Sequence, residues 1–165
     1  MPERKTIERA EKDKREGKSP STQAGEFVRE EIEKIRKGEH GARSAKQAIA
    51  IGLSEARRAG VKLKPPAKGR VSEKTRRSAM RELQKGQRHE PISQKRSRAS
   101  IKALKKEPTS SVSHAALSRQ AKSAAEKRTA SERSAAARKA AQTRQHRSGE
   151  KTSRRYGKSF QYNPD

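Results

Sequence analysis

The chain has 165 residues, with 44 Lys and Arg against 19 Asp and Glu, a formal net charge of +25 and no cysteine. Ile, Leu, Val and Phe together number 18, far below the roughly one-fifth share under which a highly charged chain cannot bury enough apolar surface to order itself throughout. This excludes one compact domain filling the chain, and the missing thiols exclude disulfides, thiolate metal ligands and cysteine nucleophiles.

Residues 1–21 open with helix formers of mixed charge over 3–16, where Glu8 and Lys12 are spaced for an i,i+4 pair. Only Ile7 and Ala10 are apolar there, so a frayed charged helix is predicted, ending at Gly17 and tied to no core, with a Ser/Pro linker after it. Residues 22–64 carry the strongest folding signals. Ser21 or Thr22 is placed to cap a helix running to about Lys37, with Gly38 as its stop. Ala24, Phe27, Val28, Ile32 and Ile35 recur with the period of one helical face. After a turn at 39–43, Ser44 and Gln47 form an S-x-x-Q capping box. Ala45, Ala48, Ile49, Gly52, Leu53 and Ala56 then make the stripe of a second helix, which Gly60 ends. Val61 and Leu63 are placed to fold back over that end before Pro65 and Pro66. The expected fold is all-α, a small antiparallel helical hairpin over about 22–60, with no strand-like alternation anywhere and so no β-sheet. Two helices bury little, so the hairpin calls for support from a third helix, self-association or a ligand.

Residues 65–112 read as a basic linker with short helices. One runs from Ser72 to about Lys85, ends at Gly86 and has Ala79, Met80 and Leu83 as a thin apolar face; another runs from Ser93 to about Lys106 with Ala99, Ile101 and Leu104. Residues 113–148 are almost wholly Ala, Ser, Lys, Arg, Gln and Glu. Alanine favours helix, whereas repulsion among Lys and Arg opposes it until phosphates neutralise the charge. This tail is expected to be extended, partly disordered or conditionally helical. Residues 149–165 differ again: Tyr156, Phe160 and Tyr162 are interleaved with Arg154, Arg155 and Lys158, which suits base stacking beside phosphate contacts or docking into a partner's groove.

Catalytic patterns are missing. His40, His89, His114 and His146 have no Cys, carboxylate or second His at ligand spacing, so no metal and no cofactor is expected. Glu30, Glu31 and Glu33 are expected to spread round a solvated helix face and pair with Lys34, Arg36 or Lys37, leaving no desolvated carboxylate for acid–base work. There is no nucleophile elbow and no Gly-rich phosphate loop. Hence the sequence predicts no catalytic residue, no small-molecule substrate and no enzyme. The longest apolar run, Ala48–Ile51, is far too short for a membrane span, and residues 1–14 lack the apolar stretch of a secretory signal. A cytoplasmic protein without a membrane partner is expected.

Charge points to the partner. Residues 1–41 carry 11 cations against 10 acids, residues 42–64 carry 6 against 1, and residues 65–165 carry 27 against 8. Such a tail repels itself and calls for a polyanion, of which nucleic acid is the commonest in a cell. Each Lys or Arg near a phosphate releases condensed counterions and so adds sequence-independent affinity. The residues expected to do this are Lys122, Lys127, Arg128, Arg133, Arg138, Lys139, Arg144 and Arg147, with Arg154, Arg155 and Tyr156 as accessories. Sequence selection needs side chains held rigidly at base edges, which the tail does not offer.

The segment SAKQAIAIGLSEARRAG at 44–60 resembles the signature S-x-K-Q-A-I-A-I-x-L-S-E-A-R of an uncharacterised family of small, basic bacterial proteins. The resemblance is strong over 44–57 and looser over 21–66, and it implies a bacterial, cytoplasmic protein with no activity or site residues attached. Separately, residues 114–147 are similar in composition to linker-histone tails and bacterial histone-like proteins. The leading expectation is a nucleoid-associated or histone-like protein that binds nucleic acid, DNA ahead of RNA, with the hairpin free for self-association or a protein partner. Two other readings use the same residues: an RNA- or ribosome-associated factor, and an adaptor that docks on a protein through the hairpin or the YGKSFQY segment.

Overall fold

The computed structural model describes residues 2–88 and 90–156, without the side chains of residues 143 and 146–156. His89, Lys158, Phe160 and Tyr162 therefore lie outside the described residues. Among those described there are seven α-helices, one 3₁₀ turn and no strand. The helices are α1 (Arg4–Arg15), α2 (Pro20–Arg36), α3 (Ala45–Arg58), α4 (Glu73–Gln87), α5 (Gln94–Leu104), α6 (His114–Glu126) and α7 (Ala130–Tyr156), and the 3₁₀ turn spans Ser110–Val112. The chain divides into two compact units, Met1–Gln120 and Ala121–Asp165.

In the first unit, α2 and α3 form the predicted hairpin. Ser19 rather than Ser21 or Thr22 opens α2: its hydroxyl accepts the Thr22 N–H at 3.4 Å, and Pro20 occupies the first helical position, where its missing N–H costs nothing. The Ser44 hydroxyl accepts the Gln47 N–H at 3.2 Å, while Gln47 reaches back to the Arg43 N–H at 2.8 Å. This is the predicted box, with its return bond displaced by one residue. Gly52 makes the crossing possible. A Cβ at that position would lie 2.7 Å from the Val28 Cα and 2.9 Å from the Val28 nitrogen.

Two small clusters hold the unit together. Phe27 is fully buried with Ala10, Ala24, Ala56 and Val61, and Ile7, Leu53 and Leu63 pack against them. Helix α1 is thus fastened to the core, contrary to the expectation of a loose one. Its inner face is held by polar pairs that apolar counting does not register. Arg9 meets Glu26 of α2 at 2.8 Å, Lys18 meets buried Asp13 at 2.7 Å, and the Glu3 N–H donates to Glu30 at 2.9 Å. The second cluster joins Ile35, Ala42 and Ala48 to Val112 of the 3₁₀ turn, with Ile32 against it.

The stretch at 65–112 is therefore more than a linker. Helix α4 lies on α3, with the Arg58–Glu82 pair at 3.2 Å between them. Gly86 does not stop α4, which continues to Gln87; a Cβ at Gly86 would sit 1.9 Å from the Arg57 carbonyl oxygen. Farther on, the Leu104 and Pro108 carbonyls accept the Gly41 and Ala42 N–H groups at 2.9 and 3.1 Å, closing the segment onto the hairpin turn. Helix α5 itself buries no residue, and Ile101 and Met80 are exposed.

The second unit holds the end of α6 and all of α7. Thr129 and Glu132 form a complete capping box: the Glu132 N–H donates to the Thr129 hydroxyl at 3.2 Å, and Glu132 accepts the Thr129 N–H at 2.9 Å. Helix α7 has 27 residues, which at the rise of an α-helix is about 40 Å of rod. No helix among the described residues is long and apolar enough to cross a membrane.

Candidate functional site

The residues predicted to contact phosphate fall on α6, α7 and the short joint between them. Lys122, Lys127, Arg128, Arg133, Arg138, Lys139 and Arg144 are all exposed. Arg147, Arg154, Arg155 and Tyr156 lie on α7, beyond the described side chains. Because each residue turns about 100° round the axis, Arg133 and Arg144 share a side while Arg138 and Lys139 point elsewhere. The cations thus surround the rod and do not form one stripe. Among the described side chains of α7 only Glu132 is half-buried and none is buried. A helix polar all round gains nothing from a core of its own. Its local ties are weak: Arg133 donates to the Arg128 carbonyl at 3.3 Å, and Arg138 to the Ser134 hydroxyl at 3.4 Å.

A second constellation lies inside the hairpin. Their charge predicts a solvated face for Glu30, Glu31 and Glu33; the structure buries Glu30 and Glu31, leaving Glu33 outside. Glu31 is 2% exposed and Glu30 is 3% exposed. The reason is register. Phe27, Glu31 and Ile35 follow one another at i, i+4, so Glu31 occupies a position of the apolar stripe.

Three carboxylates then share a small volume with two basic groups. Lys34 pairs with Glu30, which also accepts the Glu3 N–H. The His40 Nε2 faces a Glu31 oxygen at 3.6 Å, too far for a hydrogen bond, while Nδ1 lies 3.2 Å from the Gly41 carbonyl and donates to it. Glu31 Oε1 and Glu30 Oε2 have no hydrogen-bond partner among the described residues. Burial pushes the Glu31 carboxyl up to about 7; Glu55 and Glu30 push the same way, against His40 and Lys34. Burial also raises Glu55, opposed by Lys34. For Glu30 burial is outweighed by the hydrogen bonds from Lys34, Thr6 and the Glu3 N–H, which hold its carboxyl below the ordinary value. Glu31 thus holds its proton to higher pH than an ordinary carboxyl does. No three His, Asp or Glu side chains among the described residues are arranged to hold a metal ion.

These features belong to two units, one with small, alanine-rich clusters and one that holds a long cationic helix. Over residues 20–69 the chain is similar to a family of unknown function, DUF6496. That span runs from the first residue of α2 through α3 to the basic segment after it, and it contains residues 44–57. No curated protein and no solved structure matches the chain.

Proposed function

We propose that the protein is a non-enzymatic nucleic-acid-binding protein, largely indifferent to sequence and acting at the nucleoid with DNA as its main partner, through the arm formed by α6 and α7. The observation that carries this reading is the all-round cationic exposure of that arm. Seven Lys and Arg side chains are exposed between residues 122 and 144, with only Glu126 and Glu132 as acids in the same stretch. Phosphates neutralise the repulsion among those cations and release the helix propensity of the intervening alanines. Cations on every side suit a backbone that is met at many angles, and do not suit a single reading face in a groove.

The test is a full-length variant in which Lys122, Lys127, Arg128, Arg133, Arg138, Lys139 and Arg144 are all glutamine. It should lose at least tenfold in affinity for labelled duplex DNA, and the loss should be alike for unrelated sequences. Unchanged affinity would refute the assignment to the arm.

A further inference from the structure

The folded unit carries a second set of cations. From Val61 to Ala67 the chain has no regular structure, but it is not loose. Val61 is buried in the Phe27 cluster and Leu63 packs against it, while Lys62 and Lys64 are exposed. The Val61 N–H donates to the Ala56 carbonyl at 3.0 Å. Arg57 clamps the segment from beneath: its Nε donates to the Leu63 carbonyl at 3.3 Å and its Nη1 to the Leu53 carbonyl at 3.4 Å. Arg57 as a whole is only 6% exposed, and these hydrogen bonds go to carbonyls. Half-buried Pro65 and Pro66 stiffen the next step. A turn closed by the Arg70 N–H on the Ala67 carbonyl at 3.2 Å then presents exposed Lys68.

Some exposed cations of this unit are partly neutralised by acids, as in Arg4–Glu8, Lys12–Glu16 and Arg77–Glu73, whereas exposed Lys5, Lys14 and Lys37 have no ion pair among the described residues. Lys62, Lys64 and Lys68 take part in no ion pair and no side-chain hydrogen bond among the described residues. Folding has already fixed their backbone, so anion binding loses less entropy here than on a free chain.

We propose that residues 61–68 form a pre-ordered strap whose Lys62, Lys64 and Lys68 contact the sugar–phosphate backbone of nucleic acid. The inference rests on the nucleic-acid reading and adds to it that the folded unit, within the span similar to DUF6496, touches the ligand directly.

The experiment uses the full chain and fluorescence anisotropy with a labelled mixed-sequence duplex DNA, across a series of salt concentrations. Three variants are compared with the unmodified protein: K62Q/K64Q/K68Q; the charge-matched control K5Q/K14Q/K37Q, which removes three exposed lysines elsewhere on the same unit; and K62R/K64R/K68R. The strap variant should bind roughly tenfold or more weakly, and its log–log salt slope should fall by about 2.7, the value for three lost phosphate contacts. The control should lose less than a third of that slope change, and the arginine variant should keep the full slope. Equal losses for strap and control would overturn the strap while leaving nucleic-acid binding intact. No binding by the unmodified protein at low salt would instead overturn the nucleic-acid reading, and the strap with it.

Discussion

Replacing Glu31 with glutamine should make the folded unit more stable at alkaline pH and leave it nearly unchanged in acid. The carboxyl titrates near 7 in the folded state against 4.5 ordinarily, a difference of about 2.5 units. Each unit corresponds to about 1.4 kcal/mol, so full ionisation costs the fold on the order of 3 kcal/mol. The sign follows from which state holds the proton. A raised carboxyl keeps its proton when folded and releases it when unfolded, so its stability is fully present below pH 4.5 and is lost as pH rises through about 7. Glu55 shifts in the same direction and adds to the loss, whereas His40 and Lys34 oppose it. Glutamine cannot ionise, so E31Q should not pay this cost. Against a usual total of roughly 5–15 kcal/mol, the difference is large. Urea denaturation followed by helical circular dichroism, repeated across this pH range, gives both curves. They should converge near pH 4.5 and separate by on the order of 3 kcal/mol above pH 8. Parallel curves would contradict this, since they would mean that the Glu31 carboxyl titrates alike in the folded and unfolded states.

Three further substitutions test the packing. Gly52→Ala forces a methyl against the α2 backbone at Val28 and should cost about 1–3 kcal/mol in the same denaturation assay. Val112→Ala empties part of the second cluster, where Val112 is fully buried. It should cost about 2 kcal/mol, and proteolysis between residues 88 and 112 should accelerate, as the segment loses its anchor on the hairpin. Thr129→Ala removes one half of the capping box at the start of α7 and should lower the helical signal of the chain, by about 1 kcal/mol of helix stability, without moving the urea midpoint of the first unit.

The hairpin is legible in the sequence because its signals agree with one another. Ser44 with Gln47 marks a start, Gly38 and Gly60 mark stops, and alanines at helical spacing mark the inner face between them. The buried acids are harder to read, since a Glu counts as a surface residue unless its register is weighed above its charge. Glu31 sits four residues from both Phe27 and Ile35, so the spacing that finds the apolar face also finds the acid on it. The docking of α1 escapes apolar counting for a related reason: Thr6, Asp13 and the Arg9–Glu26 pair do much of the fastening. Gly86 misleads because a glycine near a helix end reads as a stop, whereas here it admits the Arg57 carbonyl. Val112 lies some 76 residues in sequence from Arg36, whose guanidinium reaches its carbonyl at 3.4 Å, and no local pattern encodes contacts of that range. The cationic arm is legible from composition, and the Thr129–Glu132 box explains where its long helix begins.

The proposed function requires that cations on the arm meet phosphates. Its most direct test is the salt dependence of duplex DNA binding by the full chain. If seven arm cations each neutralise one phosphate, the log–log slope attributable to them is about −6, and affinity should fall by 10³–10⁵-fold between roughly 50 and 200 mM salt. Replacing those seven residues with glutamine should remove that part of the slope. A slope near zero for the unmodified protein, or one that survives the replacement undiminished, would contradict the account.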